Sequence, residues 1–456
     1  MTTLALEQIR NLQRELYKRA FAEAHAIVDS NSSLISYSQR FESSLPNAFD
    51  ITTQTDLIEA IRTKRFVLYG DFHTNKQSQR GLLRILRTYS ERLRDDKLLL
   101  ALEMFKAKDQ EIVEQYLSDD ISEKELLEKI DYVNDWGFSW SNFKMIIDFA
   151  KKANIPVYGI NTDNAGRDPL PKRDKFAAKT LVELAQKYPE HKIICMIGEY
   201  HLSDTHLTQT LTKEARKRNQ SAKIIRVLNN IDRYYFDLQL NPNPMNSTEF
   251  LKLKKNLYCI MNTPPWMKWQ TYAFWEEIQG TFDPIDDDHD EDLEYEYELH
   301  TEETFDLEYQ FHSLTKNIAE FLDLKLDDDE SVRFNIHHSS EGNFVKELNG
   351  YHGLKAAQKK QIIERVNTNG VYFIPKDNRV LITSITINNL AEAAGQYLFH
   401  MFSGFEKNAK NASDKFYMSV LRSIVGMVSS KILNPKRKCK ELKHYTCRYL
   451  LLWKRV

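Results

Sequence analysis

Apolar runs that switch between two periods organise residues 56–240. Short runs rich in β-branched and aromatic residues recur at 65–70, 97–104, 156–160, 192–198, 223–228 and 233–239. Such uninterrupted apolarity predicts strands buried on both faces. Between the runs the period becomes helical. Leu82, Leu86 and Leu93 recur at helical spacing in 77–94, and Ser122 with Glu125 predicts a capping box ahead of 123–130. Ser141 predicts the start of a helix at 142–153, and Asp174 the start of one at 175–188. Strands alternating with helices predict an α/β fold: a mostly parallel sheet with helices on both faces.

The flanks follow other patterns. Residues 4–29 place Ile9, Leu12, Leu16, Ala20 and Phe21 on one helical face, and 31–50 read as a Ser-rich connector, so 1–50 forms an N-terminal segment before the α/β domain at 51–240. Residues 241–310 combine an Asn-Pro-Asn-Pro turn, an aromatic helical stretch around Trp266, Trp269, Tyr272 and Trp275, and an acidic run from Asp283 to Glu308 that contains no Lys or Arg. That run reads as a solvated linker. Asp286, Asp288 and Asp290 imitate a calcium loop, but Glu291 and Tyr297 stand where the loop needs Gly and Glu. Residues 311–456 predict a mostly helical C-terminal domain with one hairpin, 371–375 with 380–386, and Asn388 as the cap of the helix after it. On that helix Glu392, Gln396 and His400 share a face, either its polar solvated side or a surface that closes over a cleft.

Composition narrows the function classes. A chain of 456 residues exceeds a single core. A net charge of −2 gives no global pull toward nucleic acid, for which no clear site is present, and the tail from Lys431 is basic. No apolar stretch approaches the roughly 18 residues of a membrane span, and the N-terminus turns charged too early for a signal peptide. Four cysteines, with Cys195 and Cys259 inside apolar runs, predict reduced thiols and a cytoplasmic location. Cys439, His444 and Cys447 make too short a cluster for a zinc module. A homodimer is compatible with the sequence.

Chemistry converges on the carboxyl ends of the predicted strands. Two near-identical blocks, Gly70-Asp71-Phe72-His73 and Gly198-Glu199-Tyr200-His201, each follow an apolar run. Glu103 closes Leu98-Leu-Leu-Ala-Leu-Glu, and Asn161 ends the strand at 156–160. In a parallel sheet all these ends lie on one edge. Asp71, His73, Glu103, Asn161, Glu199 and His201 therefore predict one cleft for a small-molecule or cofactor ligand. A divalent metal on His73, Glu103 and His201 fits these residue types, and so does acid–base catalysis by Glu103, His73 and His201 without metal.

These blocks, together with Ala101–Phe105, Trp136 to Ala150 and Tyr158–Asn161, come in the order and spacing of ChaN-like domains. Residues 56–240 resemble that branch of the haem-binding uptake/Tiki superfamily, which also holds erythromycin-esterase-like and TraB-like proteins. The resemblance implies a haem or related tetrapyrrole ligand at the strand ends. Its Tiki-like and esterase-like members imply instead a hydrolase, with Mn, Co or Zn as the metal where one is used. It places the family site on Asp71, His73, Glu103, Glu199 and His201, with Asn161 in support. Asp71 stands where Glu is more usual, which shortens that arm by one methylene. Family members with an uptake role are typically lipoproteins, whereas no such signal is read here, so the expectation is a carrier or sensor inside the cell.

Overall fold

A computed structural model describes residues 3–28, 32–164, 168–240, 249–281, 307–326, 333–338, 348, 354–383, 386–403 and 411–437. Most of the acidic run and the Cys439/His444/Cys447 cluster lie outside the described residues. The chain divides into two units, residues 20–276 and residues 1–19 with 277–456.

In the first unit five of the six apolar runs become strands, β2 (Phe66–Asp71), β3 (Lys97–Lys106), β4 (Val157–Asn161), β5 (His191–Gly198) and β6 (Ile224–Asn229), and three strands outside those runs join them, β1 (Asp50–Thr52), β7 (Phe250–Lys254) and β8 (Leu257–Ile260). They form one sheet in the order β1-β7-β8-β6-β2-β5-β3-β4. Every pair from β8 to β4 is parallel, and β7 and β1 add an antiparallel edge. The fold is α/β, as the alternation of periods predicts. The buried side chains of β2 and β5 show why: Phe66 to Tyr69 and Ile193 to Ile197 are nearly sealed from solvent, as strands covered on both faces require.

Helix Lys76–Arg92 leaves β2 toward β3, and helix Leu207–Lys217 leaves β5 toward β6 on the other side of β2. Right-handed crossovers put these two helices on opposite faces of the sheet. The crevice between the ends of β2 and β5 is thus a topological switch point, where open α/β sheets bind ligands. The register makes it symmetrical: Gly70 pairs with Ile197 and Asp71 with Gly198. The two similar sequence blocks end side by side.

Several expectations change. Residues 233–239, whose Tyr, Phe and Leu content predicts a strand, lie in helix Asp232–Leu240. Tyr234, Tyr235 and Leu238 are buried there at helical spacing, so packing overrides β propensity. Residues 32–44 are helical rather than a connector. Helix Trp140–Lys152 starts after Ser139, not Ser141, and helix Leu170–Lys187 starts after Pro169. Asp174 is therefore inside a helix, where its side chain has other work. The capping box of Ser122 and Glu125 forms as its spacing predicts.

The second unit holds helices Leu307–Phe321, Ala356–Asn369, Ile387–Ser403 and Ala412–Leu433, with strands β9 (Asn335–His338), β10 (Val371–Ile374) and β11 (Arg379–Ile382). The hairpin forms as β10 and β11, and β9 joins β11 in parallel. Thr386, not Asn388, caps the helix that follows, its Oγ1 accepting the Asn389 N–H at 3.1 Å. Glu392 and Gln396 are buried rather than solvated. Glu392 takes Arg437 Nη2 at 2.5 Å, and Gln396 Oε1 takes the Phe373 N–H at 3.1 Å.

Candidate functional site

The end of β3 sets the site. This strand runs three residues past Glu103, and its pairing with β4 slips between Leu102 and Lys106. Such irregularities re-aim a side chain. Gly159 of β4 permits the slip, because a Cβ there would stand 2.5 Å from the Lys106 carbonyl oxygen. Glu103 is thereby turned toward β5, and its Oε2 accepts the Gly198 N–H at 2.7 Å.

Two imidazoles approach Glu103 from opposite sides. Nε2 of His73 is 3.7 Å from Oε2, and Nε2 of His201 is 3.5 Å from Oε1. Each ring is held from behind by a carboxylate. His73 Nδ1 lies 2.9 Å from Asp71 Oδ2, and His201 Nδ1 lies 2.6 Å from Asp174 Oδ1. Asp71 is fixed in turn by Gln79, whose Nε2 donates to Oδ1 at 2.8 Å. Arg173 bonds to Glu103 Oε1, and its Nε reaches Asn161 Oδ1 at 3.3 Å. Five of the six residues singled out by sequence are buried, and His73 keeps 21% of its side chain exposed.

Charge is distributed unevenly over this cluster. Burial alone would raise Glu103, but the Arg173 guanidinium, aided by His201 and His73, holds it well below the usual carboxylate range. Burial works against a charged His201, yet its bonds to Asp174 and Glu103 prevail and push its pKa up to about 9. His201 is thus an imidazolium at neutral pH. Glu199 is brought to the same edge but faces elsewhere. Its Oε1 is 3.9 Å from Lys268 Nζ, which itself bonds to Asp232 Oδ1 at 2.8 Å. Among the described residues Glu199 Oε2 has no hydrogen-bond partner, and burial raises Glu199 to about 7 against the pull of Lys268.

An aromatic wall stands over His73. The rings of Trp136 and Phe138 lie 4.6 and 4.8 Å from its imidazole, and Trp275 stacks on Phe138 at 4.5 Å. Trp275 also donates its indole N–H to the Gly137 carbonyl at 2.8 Å, tying helix Pro265–Thr281 to this loop.

The sequence pattern did not single out Arg173, Gln79 or Lys268, and gave Asp174 only as the start of a helix. Arg173 and Asp174 lie on the helix after β4, where a charged pair beside Pro171 reads as an ordinary helix start. Their position in the run from β4 to β5 was the available signal, because that connection must cross the same strand edge.

The donor set does not suit a divalent cation. Both Glu103 oxygens are already engaged, Oε1 by the Arg173 guanidinium and Oε2 by the Gly198 N–H, and each imidazole Nδ1 faces a carboxylate. Among the described residues no three His, Cys, Asp or Glu side chains stand in a metal-holding group. The two imidazoles also fit poorly as axial ligands of haem iron, since every ring nitrogen faces a carboxylate.

Residues 57–168 match the family described as haem-binding uptake, Tiki superfamily, ChaN, so this stretch of the chain is similar to ChaN-like domains. No curated protein matches the chain by sequence. Among solved structures, the chain is similar to the ChaN of Campylobacter jejuni described with cofacial haem binding, at 15% identity and a TM-score of 0.30, covering 40% of this chain and 87% of that one. It is similar to the type III effector HopBA1 at 16% identity and a TM-score of 0.32, covering 48% and 97%. It is also similar to the C-terminal region of Pasteurella multocida toxin, described with a thiol-protease-like triad, at 15% identity and a TM-score of 0.29, covering 47% and 29%.

Proposed function

We propose that the cleft between β2 and β5 is a hydrolytic site that works by acid–base chemistry on its own side chains. One observation carries this reading: two imidazoles, each backed by a carboxylate, converge on one buried carboxylate that a guanidinium keeps ionised. With Nδ1–H donating to Asp71, a neutral His73 ring leaves Nε2 as a proton acceptor. It takes a proton from water as the water oxygen bonds to the carbonyl carbon of an ester or amide. The Arg173 guanidinium stabilises the developing oxyanion, while the His201 imidazolium, whose two N–H groups face Asp174 and Glu103, holds Glu103 in place. The proton on His73 passes to the leaving group as its bond to the carbonyl carbon breaks. Glu103 anchors both rings and Arg173, a positioning role rather than that of a base, because its proton affinity is too low.

The test is hydrolysis of an ester and amide panel by protein dialysed against chelator. Turnover that survives the chelator and is lost in His73→Ala supports the reading. Turnover that needs added Mn, Co or Zn overturns it.

A second reading, haem binding, is supported by the family description and by one feature of the structure, the aromatic wall of Trp136, Phe138 and Trp275. Haem would stack on this wall rather than take its iron ligand from His73 or His201. Haemin titration tests it: a saturable Soret shift lost in Trp275→Ala and kept in His73→Ala is its signature.

A further inference from the structure

Two arginines of the second unit converge on one tyrosine with no carboxylate to receive them. Tyr372 lies on β10, an outer strand of the three-stranded sheet. The guanidinium of Arg422, from helix Ala412–Leu433, stands over its ring with Cζ 4.3 Å from the ring centre. That of Arg365, from helix Ala356–Asn369, stands 5.8 Å from the same centre. Arg422 is only 6% exposed, and its Nη1 makes a long bond of 3.4 Å to the Phe373 carbonyl. Other arginines of this unit are paired with acids: Arg437 with Glu392, and Arg379 with Asp377 at 3.2 Å. Among the described residues no carboxylate stands within ion-pair distance of Arg365 or Arg422. Burial would raise the Tyr372 hydroxyl, but the two guanidiniums outweigh it and lower its pKa.

We propose that Arg365, Tyr372 and Arg422 bind a phosphate group. A buried guanidinium is costly unless an anion meets it. The face of an aromatic ring attracts the charge but leaves most of the five N–H donors without an acceptor. The guanidinium fork matches the oxygens of phosphate and of carboxylate. Charge and shape decide between them. A carboxylate carries one charge and is filled by one fork. A phosphate carries up to two, and its tetrahedral oxygens can meet two arginines and the Tyr372 hydroxyl at once. Arg422 forms the buried floor, and Arg365 is exposed at the rim, which gives the ligand a way in. These residues belong to the second unit, and their role is independent of hydrolysis in the first.

The experiment is isothermal titration calorimetry of the full chain with inorganic phosphate, phenyl phosphate and acetate. The native chain is expected to bind at least one of the two phosphates saturably at one site, and acetate about tenfold more weakly or less. Arg365→Ala removes the rim, and Arg422→Lys keeps the buried charge but loses the fork. Each is expected to weaken phosphate binding about tenfold or more. Tyr372→Phe, which keeps the ring, is expected to weaken it less. Circular dichroism checks that the variants remain folded, and Arg365→Ala decides alone if Arg422→Lys unfolds. Tighter binding of phenyl phosphate than of inorganic phosphate assigns the site to a phosphate ester, and equal or weaker binding assigns it to free phosphate. Failure of the native chain to bind either phosphate overturns the proposal. Acetate binding as tight as phosphate overturns it too, as does phosphate binding unchanged in Arg365→Ala.

Discussion

Glu103 accepts the backbone N–H of Gly198 at 2.7 Å, and this bond joins the end of β3 to the end of β5 at the centre of the site. It fixes Glu103 between two imidazoles that come from sequence positions far apart. It also leaves a small space in front of Gly198. A Cβ there would stand 3.4 Å from His73 Nε2, 3.5 Å from His201 Cδ2 and 3.6 Å from Glu103 Oε2.

Gly198→Ala therefore separates stability from function. Its φ of −48° is open to any L residue, and no neighbour has to move far. Thermal melts are expected to stay within about 1 kcal/mol of the native chain. Hydrolysis is expected to fall steeply, because the methyl occupies the space between the two rings.

Glu103→Ala removes the buried anion that Arg173 and His201 share. Stranding buried cations costs about 3–5 kcal/mol, to be read by urea unfolding. Adding Arg173→Met to the same chain is expected to recover part of that loss, since one unpaired charge is then gone. A simple sum of the two single losses would contradict the coupling.

Stability should depend on pH through His201. Its folded pKa of about 9 lies above the ordinary value of 6.5. The ring's contribution is therefore fully present below about 6.5 and is lost as pH rises through about 9. Unfolding free energy is expected to fall across that window, by an amount on the order of 3 kcal/mol from this group. Asp174→Asn, which removes the negative charge facing Nδ1, should flatten the fall.

Trp275→Ala tests what the aromatic wall is for. The substitution removes both the stack on Phe138 and the bond to Gly137. Loss of a saturable Soret shift, with ester hydrolysis largely kept, would assign the wall to haem. Loss of hydrolysis as a rise in KM without change in kcat would assign it to the substrate's apolar part.

Much of this was legible in the chain. The period switches give the sheet, and the two Gly-acid-aromatic-His blocks mark its switch point, because a strand end has few other uses for buried acids and imidazoles. What was not legible depends on three-dimensional pairing. Strand β7 contains Lys252 and Lys254 among its five residues, so its pattern was too weak to show that it joins the sheet. Asp174 reads as a helix cap until helix Leu170–Lys187 is seen to start earlier and to carry it against His201. The protonation of His201 arises from two carboxylates that no local pattern brings together.

The most direct test of a metal-free site is the imidazole nitrogen spectrum of 15N-histidine-labelled protein, followed across pH with and without one equivalent of zinc. The expected result is that His201 keeps both ring protons until the pH nears about 9, and that zinc leaves the signals of His73 and His201 unchanged. Deprotonation of His201 in the ordinary imidazole range, or nitrogen shifts at both rings on adding zinc, would contradict it.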